Sequence, residues 1–106
     1  MSIKGINILN KGIDLSEIGI NDYAYNWECI GEVLDEIKRK KLIILGGDVY
    51  ISGENGLILT LDTWYYNLTN SQSDCFQSID KASDYICNYI EQNSGDYYFS
   101  FVLESL

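Results

Sequence analysis

Two aspartates carry the clearest chemical signal in this sequence. Asp48 follows two glycines in LGGDVYIS (residues 45–52), and Asp62 lies in a second apolar stretch, LILTLDTWYY (residues 57–66). Glycine and aspartate are both depleted in strands, so the GGD stretch indicates more than strand formation. Two carboxylates brought together can hold a divalent metal or act as general acid and base.

Other kinds of catalytic chemistry have little support. The chain contains no histidine, which removes Ser-His and Cys-His pairs and most general-base chemistry at neutral pH. Its three cysteines, Cys29, Cys75 and Cys87, have no C-x-x-C spacing from which a zinc site could be built. We therefore expect free thiols and no cofactor.

The charge is strongly and unevenly acidic. The 106 residues carry 16 acids against seven bases, a net charge of −9. From residue 42 to the end there are nine acids and a single base, Lys81. Such a surface repels nucleic acid and attracts basic partners, although acidity also simply keeps a protein soluble. No apolar run approaches the roughly 20 residues of a membrane span, so we expect a soluble, cytoplasmic protein.

Two segments have the periodicity of amphipathic helices. Apolar residues recur at spacings of three and four over residues 26–41, with Asn26 as the candidate N-cap and the basic run KRKK in the last turn. Residues 73–93 repeat the pattern behind a second candidate cap, Ser73.

Three segments have the character of strands. Residues 42–52 and 57–65 predict a hairpin, and residues 97–103 (YYFSFVL) predict a strand in the centre of a sheet. The first 25 residues are less clear, apart from a short turn over residues 15–18 (LSEI), capped by Asp14 and ended by Gly19. The whole chain, residues 1–106, is predicted to form a single α+β domain, an antiparallel sheet packed by two helices.

The register of the hairpin determines which residues of the two strands lie opposite each other. A three-residue loop over residues 54–56 matches apolar with apolar positions along the two strands. It places Asp48 directly opposite Asp62, and Trp64 opposite Gly46, where a large ring can fill the space above a glycine. Like charges facing each other across a strand pair are unfavourable, so an external group is expected to compensate them.

The resulting acidic and aromatic surface has three interpretations. A partner protein can dock on it, since tyrosine and tryptophan supply contact area and the acids accept hydrogen bonds from lysine or arginine. The two carboxylates can instead serve a small metal-dependent enzyme. In the third interpretation the aromatic residues belong to the core and an acid pairs with Lys4 or Lys11.

Several motifs, in this order, resemble the immunity protein 40 family of bacterial polymorphic toxin systems. They are KGIDLSEIGIND (residues 11–22), GGDVY (46–50), a hairpin that ends in TWYYN (63–67) and a helix containing SIDKASDYI (78–86). The positions that match the family are Glu17, Gly19, Gly46, Gly47, Asp48, Tyr50, Trp64 and Tyr65.

This resemblance implies a small cytoplasmic protein that binds and neutralises a cognate toxin and performs no catalysis. We expect the toxin to have a basic cleft like that of a nuclease, and we expect no nucleic-acid or membrane partner. A homodimer is the alternative left open for a protein-interaction domain. The predicted partner-binding residues are Glu17, Asp48, Tyr50, Asp62, Trp64 and Tyr65.

Overall fold

A computed structural model of the chain describes residues 2–3 and 5–105. An antiparallel sheet packs against two helices, which confirms the predicted α+β class. The strands are β1 (Ser2–Ile3), β2 (Ile13–Asp14), β3 (Tyr23–Asn26), β4 (Leu42–Gly53), β5 (Gly56–Tyr65) and β6 (Tyr97–Ser105). The helices are α1 (Ile30–Arg39) and α2 (Asp74–Gln92).

Strand β6 lies in the middle of the sheet, as its apolar sequence predicts. The strand order is β2-β3-β6-β4-β5, and β1 also pairs with β6. Alternate residues of β6 are buried against the helices, where they meet apolar side chains of β4, α1 and α2. We call this helix-covered side of the sheet the near face and the opposite side the far face.

Helix α1 begins later than the periodicity predicts. Residues Trp27–Cys29 form a 3-10 turn, and the α-helix starts at Ile30. Asn26 is the cap that the sequence predicts, since its side-chain oxygen accepts a hydrogen bond of 3.0 Å from the backbone N–H of Glu28. The helix buries Ile30, Val33, Leu34 and Ile37, one apolar stripe along its length.

Asp74 at the start of α2 holds the loop that precedes the helix, and the predicted cap Ser73 makes no capping hydrogen bond. The buried Asp74 carboxylate accepts hydrogen bonds from the hydroxyl of Thr69 at 2.6 Å and from that of Tyr66 at 2.7 Å. Backbone N–H groups of Thr69 and Ser71 donate to it as well. The prediction of Ser73 as a cap was wrong because its backbone is already helical (φ −77°, ψ −9°), whereas a capping residue is usually extended, and its hydroxyl bonds that of Ser71 instead.

These hydrogen bonds make part of the stability depend on pH. The Thr69 hydroxyl first, and then that of Tyr66, lower the pKa of Asp74 from 3.8 to about 2. A carboxyl whose pKa is lower in the folded state stabilises the fold above the unfolded value, and that contribution is lost as the pH falls from 3.8 towards 2.

We therefore expect Asp74→Asn to lower the melting temperature at pH 7 and to flatten its pH dependence between pH 4 and pH 2. Thermal unfolding followed by circular dichroism at a series of pH values measures both effects. Asp80→Asn, a change at an exposed acid of the same helix, should keep the wild-type slope. A wild-type slope in Asp74→Asn would show that the carboxylate does not contribute in this way.

The N-terminal part contains more structure than its sequence predicts. The turn at Ser16–Ile18 is present, with the side chain of Asp14 accepting from the N–H of Ser16 at 2.8 Å and with Gly19 in the left-handed conformation (φ 80°). Strand β3, which was not predicted, pairs with β6. The segment between β2 and β3 packs Leu15 against the far face.

Among the described residues, no helix is both long enough and apolar enough to cross a membrane.

Candidate functional site

The β4–β5 hairpin closes with two loop residues. Gly53 pairs with Gly56, and Ile51 pairs with Ile58. The predicted three-residue loop over residues 54–56 is therefore wrong by one residue. Gly56 itself begins β5 with a φ of 113°, a conformation that glycine adopts readily and that other residues rarely adopt.

A bulge between Tyr50 and Asp48 then shifts the pairing the other way, by two residues of β5. Tyr50 pairs with Leu59, but Asp48 pairs with Thr63, so residues 60–62 of β5 lie opposite Val49 alone. The hydroxyl of Thr60 fixes the bulge by donating to the carbonyl of Val49 at 2.9 Å and accepting from a backbone N–H at 3.2 Å.

The observed register separates the two acids that the predicted register pairs. Asp48 faces Thr63 on one neighbouring strand and Ser100 on the other. Asp62 lies on the near face, where it accepts a hydrogen bond of 2.6 Å from the hydroxyl of Tyr89 in α2. The prediction of an acid pair is corrected, and with it the geometric basis for a two-carboxylate metal site. Within the described part of the chain, no group of three or more Cys, Asp or Glu residues is placed to hold a metal ion.

The prediction that Trp64 lies opposite Gly46 is wrong by one residue. Trp64 pairs with Gly47 rather than with Gly46. A β-carbon added at Gly47 would contact the carbonyl oxygen of Ser100 and would lie 2.8 Å from atom Cζ2 of the Trp64 ring. Glycine is therefore required at position 47 because the ring and a backbone oxygen occupy the space that any side chain would need.

Trp64 belongs to the core between sheet and helices. It is 5% exposed, stacks on Tyr85 of α2 with 4.9 Å between ring centroids, and meets Phe101 edge-on at 5.9 Å. Its indole N–H has no hydrogen-bond partner among the described residues. In this conformation the ring offers almost no surface to a partner.

Tyr50 is also buried, on the far face. It packs with Leu15 and Ala24, and its hydroxyl accepts a hydrogen bond of 3.4 Å from Ser100. Burial raises the pKa of Tyr50 above its ordinary value. Like Trp64, Tyr50 contributes to packing, so two of the six predicted partner-binding residues are core residues in this structure.

Two further predicted residues are the acids beside the bulge. Asp48 is half-buried on the far face, and its carboxylate has no hydrogen bond or ion pair within the described ranges. Asp62 is exposed and accepts the hydrogen bond from the hydroxyl of Tyr89. Burial first, and then this hydrogen bond, raise the pKa of Tyr89 to about 12. Tyr89 therefore remains a protonated donor throughout the physiological range.

Tyr65 and Glu17 complete the predicted set. Tyr65 is 66% exposed, with the Nζ of Lys81 lying 5.2 Å from its ring centroid. Glu17 lies in the Ser16–Ile18 turn, across a groove of about 280 Å³ from the hairpin residues Asn55 and Leu57. The structure thus places Glu17 near the hairpin tip and the other exposed residues beside the bulge.

Sequence reasoning missed Leu61, the centre of the bulge. Its side chain is 81% exposed, although strict alternation pairs it with the buried Val49. The stretch LTLDTW contains no glycine or proline that would mark an irregularity, so the sequence carries no local signal for the bulge.

We call Asp48, Leu61, Asp62 and Tyr65 together the bulge surface. It consists of two large exposed side chains at the edge of the sheet, with Asp62 on the near face and the half-buried Asp48 on the far face. Apolar surface bordered by charged groups is typical of sites where proteins contact one another.

Comparison with family models and known proteins gives one match. The model described as Immunity protein 40 matches residues 14–103, nearly the whole chain. No curated protein and no solved structure matches the chain. The matched range contains both helices, the hairpin and every predicted partner-binding residue. The chain therefore belongs to the Immunity protein 40 family.

Proposed function

We propose that the protein binds a cognate toxin of a bacterial polymorphic, contact-dependent system through the bulge surface and so neutralises it. Membership of the family implies an immunity protein that acts against a toxin, in a role that is not enzymatic. The direct contact, the surface that makes it and the nature of the toxin are our proposals.

The observation that carries the proposal is the unbalanced charge beside the bulge. The described residues provide no base that pairs with Asp48 or Asp62. Lys81, the only base after residue 41, lies over the ring of Tyr65. Carboxylates without a basic partner are available to lysine and arginine side chains of another protein, and they accelerate its association electrostatically.

An acidic binding surface suits a toxin with a basic cleft. Enzymes that act on nucleic acids carry such clefts, because their substrates are polyanions. We infer that the toxin is nuclease-like and that the immunity protein covers this cleft. Glu17, across the groove from the hairpin tip, would lie outside the bulge surface and at most at the margin of the proposed contact.

Titration of the purified toxin domain with charge-reversal variants tests the proposal. The double variant Asp48→Lys/Asp62→Lys should weaken binding by about tenfold or more, roughly 1.4 kcal/mol or above. A matched control is Asp35→Lys/Asp80→Lys, which changes the net charge equally at exposed positions of the two helices. The control should bind nearly as tightly as the wild type.

Calorimetry measures the dissociation constants, and circular dichroism verifies that each variant is folded. Equal weakening in both double variants would show that only the overall charge matters and would refute the assignment of this surface. Wild-type affinity in Asp48→Lys/Asp62→Lys would refute it as well. The absence of any binding by the wild-type protein would refute direct neutralisation.

A further inference from the structure

Leu61 is exposed to a degree that folding alone does not explain. Its side chain is 81% exposed, more than any other large hydrophobic side chain of the described residues. An apolar group that stays in water contributes almost nothing to the stability of the core.

The backbone at Leu61 is also held in an unfavourable conformation. Its φ of +73° lies in the left-handed region, which is uncommon for side chains other than glycine, asparagine and aspartate. The Thr60 hydrogen bonds on either side keep the bulge in this shape. A leucine at this position strains the backbone and buries no apolar surface. Backbone outliers of this kind cluster at functional sites.

The position of the bulge determines how a partner can use this side chain. Strand β5 is the outermost strand of the sheet beyond β4, and a bulge in an edge strand bends it away from regular strand pairing. The accessible feature is therefore a protruding leucine rather than a continuous edge for another strand.

The charges around Leu61 indicate the chemistry of the partner. Asp62 follows it directly on the near face, and Asp48 lies beside the same bulge on the far face, so an acid is present on each side of the sheet edge. A second copy of this chain, also with a net charge of −9, would bring like charges together. The two carboxylates and the net charge therefore both favour a basic partner over a second copy of this chain.

We propose that Leu61 is an anchor that inserts into an apolar pocket of the toxin, and that lysine or arginine side chains at the rim of this pocket meet Asp62 and Asp48. The inference rests on the proposed function, since it assigns the central contact of that same complex. Single large side chains that fill a partner's pocket contribute much of the binding energy in protein interfaces.

The proposal predicts opposite effects of one substitution on stability and on binding. Leu61→Gly removes the side chain and relieves the left-handed strain, so its melting temperature should equal or exceed that of the wild type. Its dissociation constant for the toxin domain should rise at least tenfold. Leu61→Asn, which also tolerates this backbone conformation, should show the same loss of binding.

Leu9 provides a matched control. It is a second exposed leucine in the left-handed conformation (φ +55°), and it lies in a turn that packs near α1, away from the β5 edge. Leu9→Gly should bind the toxin domain as the wild type does. Calorimetry and thermal unfolding on all four proteins provide the two readouts.

Each outcome supports or refutes the role of Leu61 as an anchor. Wild-type affinity in folded Leu61→Gly and Leu61→Asn, while the wild type binds, overturns the anchor and leaves the proposed function standing. No binding by the wild type overturns both. Sedimentation velocity that shows a wild-type dimer, lost in Leu61→Gly, would identify a second copy as the occupant and refute the toxin pocket.

Discussion

Trp64→Ala is expected to lower the free energy of unfolding by about 3–5 kcal/mol, the usual range for removing a buried large aromatic side chain. The ring stacks on Tyr85 and contacts Phe101, so its removal leaves a cavity between the sheet and α2. Native domains are stable by only about 5–15 kcal/mol, so this loss is a large part of the total.

Urea unfolding measures the loss, with far-ultraviolet circular dichroism as the probe because the substitution removes one of two tryptophans. Trp27→Ala is the natural comparison, since Trp27 is 40% exposed. Its cost should be clearly smaller, about 1 kcal/mol. Equal costs at the two positions would contradict the core assignment of Trp64.

The burial of Trp64 also affects how its substitution should be interpreted in a binding experiment. Trp64 was predicted to contact the partner, and its burial means that weaker toxin binding by Trp64→Ala reflects loss of the fold. The exposed members of the bulge surface are the positions where substitution reports on contact.

Gly47→Ala is expected to destabilise the protein by about 1–3 kcal/mol or more, although it adds a single methyl group. The new β-carbon would collide with the Ser100 carbonyl and with the Trp64 ring. Because one of these obstacles is backbone of the central strand, it cannot move aside as a flexible side chain would.

The same substitution at Gly31 should have the opposite sign. A β-carbon at Gly31 of α1 would meet nothing within 4 Å, and alanine favours a helix interior over glycine by about 0.8–1 kcal/mol. Thermal and urea unfolding of the two variants form a matched pair. A Gly47→Ala protein as stable as the wild type would show that the close approach of strand and ring is not required.

The helices and the central strand could be predicted because their signals are local. The apolar stripe of α1 repeats with the helical period, and residues 97–103 are apolar on both faces as a central strand requires. The predicted boundaries differ where a neighbour intervenes. The 3-10 turn delays α1 to Ile30, and Ser73 precedes α2 without making the predicted capping hydrogen bond.

The predicted site failed at the register for a physical reason. Alternation along two strands predicts faces only if each residue of one strand meets one residue of the other. The loop is one residue shorter than predicted, which places Asp48 and Asp62 on opposite faces, and three residues of β5 opposite Val49 then break that condition as well. Strand β3 was missed for a related reason, since a four-residue strand gains its stability from β6 rather than from its own sequence.

The acidity, the α+β class, the family motifs and the lack of histidine can be read from the residues alone, because they depend on residue types and short-range periodicity. Which aromatic rings are buried, which acids are open to a partner, and that Leu61 protrudes from the sheet edge become visible once the chain is folded. Those properties arise from contacts between residues far apart in the chain. The two-residue loop shifts the pairing by one position, which places Asp62 and Trp64 on the face opposite Asp48 and Tyr50, and the bulge then adds two residues of β5 opposite Val49.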